Sequence, residues 1–267
     1  MNTKPRIPPG PKGRLLLGNL REILHEPFDF LIRCRRDHGD VVRVRVGPLV
    51  VYLVNHPDAI EQVLRRDHRN FIKDRGTRML SALLGQGFLT SEGEVWRRQR
   101  RLAQPAFQLD QIQKYGAVIA ACAERMLLDW QPGQTRDIHA DMANLTMEIA
   151  AQTFLGASMT GQADRVSHVL DVGMRYFAGP VVWLPWLRWL PTPSNRRFRR
   201  ARRELDAIMY ATIARRRAAG EPAGDDLLSR LLAARDEDGS RMTDEQLRDE
   251  LVTLFLAGHE TTALALS

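Results

Sequence analysis

The chain has only two cysteines in 267 residues, Cys34 and Cys122, and they lie far apart. That excludes a disulfide-stapled scaffold and fits a reducing cytoplasm. No apolar run approaches the ~20 residues of a membrane-spanning helix. The opening MNTKPRIPPGPKG is basic and proline-rich without an apolar core, so it is not a secretory leader. No internal repeat or low-complexity linker breaks the chain, and a single domain over 1–267 is expected. Nowhere do His, Cys and acids fall at metal-ligand spacing. His259-Glu260 lacks the second histidine of a zinc protease, because Ala263 stands there. Gly85-Gln86-Gly87 ends in Thr90 where a dinucleotide loop needs glycine, and Lys12-Gly13 has no phosphate-loop context.

What is present is ordinary for a globular protein: 44% hydrophobic and 27% charged residues. The net charge of +7 is local. Ser194–Arg217 holds nine arginines, no lysine and two acids, Glu204 and Asp206, so the rest of the chain is neutral. Phe198, Leu205, Ile208, Met209 and Ile213 form an apolar stripe there, with Ser194 as the expected cap and the arginines on a solvated face. Contact with an acidic partner or anionic lipid is the other reading of that face.

The strongest element is the last. Thr243 followed by Gln246 reads as a capping box. Leu247, Leu251, Leu254, Phe255, Gly258, Thr261 and Ala265 then recur at helical spacing. From Leu251 to Ala257 only Thr253 is polar, which predicts a buried helix. Ala257-Gly258-His259-Glu260-Thr261-Thr262 interrupts it. Glycine costs roughly 1 kcal/mol against alanine in a helix, and a buried carboxylate needs a partner. Gly258 can clear room for a flat group, Thr261 can bond along the helix or to a ligand, and Glu260 can pass protons. A small-residue contact between helices also suits these residues. No stop signal follows, so the sequence is expected to be cut inside an element.

Ser91-Glu92-Gly93-Glu94 predicts a second capping box, opening a helix that carries Trp96 and Arg100. Four residues apart, an indole N–H and a guanidinium share one face, about 6 Å along the axis. They form a receptor for a carboxylate. A surface cation–π pair or a solvated basic face is the alternative.

The two motifs together, with the flanking TSEGEVWRRQRRLAQPAF, resemble the cytochrome P-450 haem-thiolate monooxygenases. The resemblance implies a mainly α fold with a small β-sheet, truncated inside the long central helix, from a soluble bacterial-type member. It implies haem b, with Trp96 and Arg100 on its propionates, Ala257 and Gly258 flanking its distal face, Thr261 bonding the distal oxygen and Glu260 feeding protons. It also implies O2, an apolar small-molecule substrate and a ferredoxin or flavin-type electron donor. Arg97, Arg98 and Arg101 either help dock that donor or are simply solvated. The axial cysteine belongs beyond Ser267, since neither LIRCRRDHG nor AACAERM matches its context, so the chain alone is expected to be an inactive fragment. A non-catalytic relative or interaction protein shares the scaffold. Nucleic-acid binding through the arginine helix lacks an aromatic platform.

Along the chain, Pro27–Asp37 is a predicted helix, and Val41–Val54 a hairpin turning at Gly47-Pro48. A helix opening at Pro57 and running to about Asp67 follows. Phe71–Thr90 reads as an irregular loop, which in the resembled family caps the substrate pocket. Further helices are expected at Leu109–Trp130, His139–Leu155, Gln162–Phe177 and Asp225–Ala234. Gly179–Pro193, with three tryptophans among four prolines, is no continuous helix. An apolar lid is favoured over a membrane-interface segment because no long amphipathic helix accompanies it.

Overall fold

The computed structural model describes residues 7–156, 163–179, 181, 185–220 and 224–267. The chain divides into two compact units, Met1–Ile72 and Lys73–Ser267.

In the first unit, helices α1 (Leu20–His25) and α2 (Pro27–His38) precede strands β1 (Val41–Val46) and β2 (Leu49–Val54), and α3 (Pro57–Glu61) follows. The strands pair antiparallel, Val41 opposite Val54 and Val46 opposite Leu49. Alternation decides the inner face: Val42, Val44 and Val46 bury with Phe30 and Cys34, while Arg43 and Arg45 face outward. Pro57 takes the first helical turn, and α3 runs on through one π-helical turn, Gln62–Arg66.

The second unit is helical. It comprises α4 (Arg75–Met79), α5 (Ser81–Leu84), α6 (Gly93–Ala103), α7 (Leu109–Leu128), α8 (Ile138–Leu155), α9 (Ala163–Phe177), α10 (Pro193–Ala218), α11 (Leu227–Ala233) and α12 (Asp244–Leu266). Helix α12 packs on α8, α10, α11 and α5, and buries Leu247, Leu251, Val252 and Phe255 completely. Each such side chain contributes roughly 1.5–3 kcal/mol. Its capping box is formed: Gln246 N donates to Thr243 Oγ1 (3.2 Å) and Thr243 N to Gln246 Oε1 (3.0 Å). The buried stripe of α10 is the predicted one.

Three local expectations are corrected. The cap of α6 is Glu92, without a side-chain bond, not Ser91. Lys73 draws the box apart: its amide donates to Glu92 Oε1 (2.6 Å) and its ammonium to Ser91 O (2.6 Å). Helix α10 is capped by Thr192, not Ser194, because Pro193 has no N–H and its fixed φ suits the first helical position. Phe71–Thr90 is not all loop, since α4 and α5 lie within it; Asp74 caps α4 through Gly76 N (2.7 Å) and Thr77 N (3.1 Å). The expected helix start at Gln162, and residues 180 and 182–184 of the proline–tryptophan segment, lie outside the described residues. The described part of that segment contains a 3-10 turn, Pro185–Trp189. Asn195 of α10 holds it by donating to Leu187 O (2.7 Å) and Leu190 O (2.5 Å).

Candidate functional site

Helix α6 carries Trp96, Arg97, Arg98, Arg100 and Arg101. Arg97 pairs with Glu94, Arg98 with Asp236 (2.9 Å), and Arg101 with Asp236 (2.7 Å) and Glu237 (3.7 Å). Arg101 is the first cause holding the Asp236 carboxyl below the usual range. The basic face is therefore largely neutralised within the fold. Arg100 has no carboxylate partner among the described residues. Its guanidinium lies 5.3 Å over the Trp96 ring, so the cation–π pair is formed.

That pair opens into a groove of about 350 Å³, lined by Phe88, Trp96, Arg100, Ala103, Gln104, Phe107 and, from α12, Leu254. Leu254, Ala257 and Thr261 are spaced three and four residues apart, so they share one stripe of α12. Ala257 and Thr261 are exposed, and Leu264, on the same side, is 62% exposed. The groove therefore meets the open side of the central helix at Leu254. Thr261 Oγ1 donates to Ala257 O (2.5 Å), which fixes the hydroxyl rotor and leaves the oxygen able to accept.

The other residues singled out from the sequence are placed differently. Gly258 is half-buried, and a Cβ built on it would meet Phe154 Cζ of α8 at 3.4 Å. Phe154 sits edge-on to Phe255 with ring centroids 5.4 Å apart. Glu260 is half-buried beside His259. His259 itself is buried, and that burial pushes its pKa down against the opposing effects of the Ala143 carbonyl and Glu260.

Sequence reasoning passed over Arg248-Asp249-Glu250, one turn before Leu254. All three are buried. Arg248 donates to Asp206 Oδ1 (2.7 Å from Nε), Asp249 Oδ1 (2.9 Å) and Leu83 O (2.7 Å). Asp249 Oδ2 accepts from Gln86 N (2.6 Å) and Glu250 Oε2 from Phe88 N (3.1 Å). Lys73 Nζ donates to Phe88 O (2.8 Å), so an acid and a base bracket the peptide groups of a residue that walls the groove. Burial raises the Glu250 pKa to about 8, so its carboxyl is neutral at pH 7. The available signal was three consecutive charges in an apolar helix, which cannot bury without partners. Gly85 and Gly87 let the loop reach α12: side chains there would strike the Asp249 carboxylate and Thr253 Oγ1. Close packing, not phosphate binding, explains them.

Cys34 and Cys122 are both buried free thiols whose pKa burial raises. Cys34 packs with Val42 and Val44, Cys122 with Met142, Leu145 and Ala263, and neither lines the groove. Among the described residues there is no cluster of metal-ligating side chains, and no helix long and apolar enough to cross a membrane.

A family profile for cytochrome P450 matches residues 8–267. Cyclooctat-9-en-7-ol 5-monooxygenase of Streptomyces melanosporofaciens is 36% identical over 254 residues, 94% of this chain and 55% of that protein. Pentalenene oxygenase of Streptomyces avermitilis is 32% identical over 252 residues, 93% of this chain and 55% of that protein. A solved structure of cyanobacterial CYP120A1 with retinoic acid bound is similar at a TM-score of 0.79 and 25% identity, over 98% of this chain and 58% of that one. The chain spans about half the length of the curated relatives it matches. Its helical second unit, its small two-stranded sheet and the profile match agree: the chain belongs to the cytochrome P450 family.

Proposed function

We propose that this chain forms the N-terminal part of a haem-dependent monooxygenase, and that the groove between α6 and α12 is one wall of its haem site. One observation carries the reading. The unpaired Trp96–Arg100 receptor and Leu254 line a single groove, and Leu254 shares its stripe of α12 with the exposed Ala257 and Thr261. The residues fit the family's cofactor, haem b. Arg100 and the Trp96 N–H suit carboxylates at one edge, while Phe88, Phe107, Ala103 and Leu254 suit an apolar ring.

Bound in full, with a cysteine thiolate, haem supplies activation of dioxygen and transfer of one oxygen atom to an organic substrate. The chain's own residues orient and protonate. Trp96 and Arg100 hold the carboxylate edge. Ala257, exposed and small, lets a flat group approach the helix. Thr261 presents a fixed hydroxyl, and Glu260 supplies protons from the half-exposed side. Gly258, beside Ala257, adds no side chain to obstruct that approach. Since neither cysteine lines the groove, the axial thiolate comes from sequence outside these 267 residues. The substrate is an apolar small molecule, and the electron donor a ferredoxin or flavin protein. Cytoplasmic location fits the two free thiols.

The test is the 267-residue chain with added haem. Its reduced, CO-bound spectrum is expected to lack a thiolate-type Soret band, and no turnover is expected. Haem affinity is expected to fall roughly tenfold in Arg100→Ala, the size of one charge-assisted bond. A thiolate-type band, or full affinity in Arg100→Ala, would refute the assignment.

A further inference from the structure

The loop between α5 and α6 is fastened by polar side chains more than by burial. Gly85 and Gly87 offer no side chain, Phe88 is half-buried and Leu89 is exposed. Its backbone is held at four places. Gln86 N donates to Asp249 (2.6 Å) and Gln86 O accepts from Gln99 Nε2 (2.8 Å). Phe88 N donates to Glu250 Oε2 (3.1 Å), and Phe88 O accepts from Lys73 Nζ (2.8 Å). Glu250 and Lys73 thus grip the two peptide groups of one residue, and that residue lines the α6–α12 groove.

The grip suits a neutral acid. Glu250 is completely buried, and its Oε1 has no hydrogen-bond partner among the described residues. A carboxyl group asks little there: one oxygen accepts from Phe88 N–H and the other carries the proton. A carboxylate has about four acceptor sites, of which one would be met. The charged groups around it give little relief. On α12, Asp249 opposes its ionisation, and Arg248 is divided among Asp206 of α10, Asp249 and Leu83 O. Lys73 favours the charged form, but its ammonium is engaged by Phe88 O and Ser91 O. Glu92, at the start of α6, acts on Lys73. Helix α5 carries no ionisable side chain, and α8 and α11 bring none to bear on Glu250. Water can reach an ionised Glu250 most cheaply by lifting the loop. Any other route opens the core around Leu251, Val252 and Phe255.

We propose that Lys73 and Glu250 form a proton-controlled clasp on Phe88, shut while Glu250 holds its proton and released when the proton leaves. Rising pH then loosens one wall of the α6–α12 groove without unfolding the helices behind it. The clasp is built from side chains outside the groove lining, so it stands without the haem assignment.

The sign follows from burial, which lifts the Glu250 pKa from 4.5 to about 8 while the loop is shut. Opening releases a proton between those values. The experiment is hydrogen exchange of the 267-residue chain without haem, read as protection factors so that intrinsic exchange is divided out. Phe88 N–H is expected to be at least about tenfold less protected than Leu251 N–H, because the loop opens on its own. Its protection should fall roughly tenfold per pH unit between about pH 5.5 and 7.5 and level off above about pH 8. Glu250→Gln keeps an acceptor for Phe88 N–H and cannot ionise, so its Phe88 profile should be flat. Lys73→Met should lower Phe88 protection at every pH and carry the slope above about pH 8, since the opposing cation is gone. Protection of Leu251 reports whether each variant is folded, and Lys73→Met decides the matter if Glu250→Gln is not. Equal protection of Phe88 and Leu251, a flat parent profile, a slope that persists in Glu250→Gln, or no extension of the slope in Lys73→Met would overturn the proposal.

Discussion

The two halves of α12 are built to different ends. From Leu247 to Leu256 the helix is buried nearly all round and includes three ionisable side chains, each tied to a neighbour. From Ala257 onward one side is open, and it carries the small and hydroxylic residues. A single stripe, Glu250–Leu254–Ala257–Thr261, crosses from one half to the other. The loop before α6 covers its first part and leaves its last part free. The first half commits its buried polar side chains to holding a loop, and the second half leaves its surface exposed.

The largest test of this contrast is Arg248→Ala. It leaves Asp206 and buried Asp249 without their common partner, and about 3–5 kcal/mol of stability should be lost in urea unfolding. A loss under about 1 kcal/mol would mean that the network does not hold the helix.

Glu250 gives the pH signature of the buried half. Burial first, and Asp249 second, raise its pKa to about 8, while Phe88 N–H and Lys73 oppose. The folded value exceeds the unfolded one, so the native state keeps the proton longer. This contribution to stability is complete below about pH 4.5 and is lost as pH rises to about 8. The slope is on the order of 1.4 kcal/mol per pH unit. Glu250→Gln should flatten urea midpoints between pH 5 and 8; an unchanged slope would place the titration elsewhere.

Gly87→Ala tests the loop itself. The new methyl would approach Asp249 O at 2.6 Å, and a loss of about 1–3 kcal/mol is expected in thermal unfolding, with Phe88 displaced from the groove. Neutral behaviour would show that the loop can stand further from α12. Gly258→Ala should be the mildest change. Its Cβ meets Phe154 at 3.4 Å, the close edge of ordinary contact, where a small adjustment of the ring offsets part of a helix-propensity gain of about 1 kcal/mol. Stability within about 0.5 kcal/mol of the parent is expected by the same measurement.

The long periodic elements were legible in the sequence. The box at Thr243, the alternation of Val42, Val44 and Val46, and the apolar stripe of α10 are local patterns that tertiary structure reinforces. The failures share a cause. Helices of five and four residues, α4 and α5, are too short to show a period, and what fixes their neighbourhood comes from residues 249 and 250 of a distant helix. Ser91 has the local grammar of a cap, but Lys73 competes for the same turn. Trp96 and Arg100 were legible as a pair. That Arg100 alone among its neighbours lacks an acid required Asp236, more than a hundred residues away. For Gly258 spacing gave the residue, but the aromatic neighbour, Phe154, came from α8.

The most direct measurement of the shared groove is quenching of tryptophan fluorescence by protoporphyrin IX in two variants. Arg100→Ala removes the receptor on α6, and Ala257→Trp fills the open stripe on α12. Both should weaken binding tenfold or more while circular dichroism stays unchanged. Full affinity in Ala257→Trp beside a loss in Arg100→Ala would show that the two places do not serve one ligand.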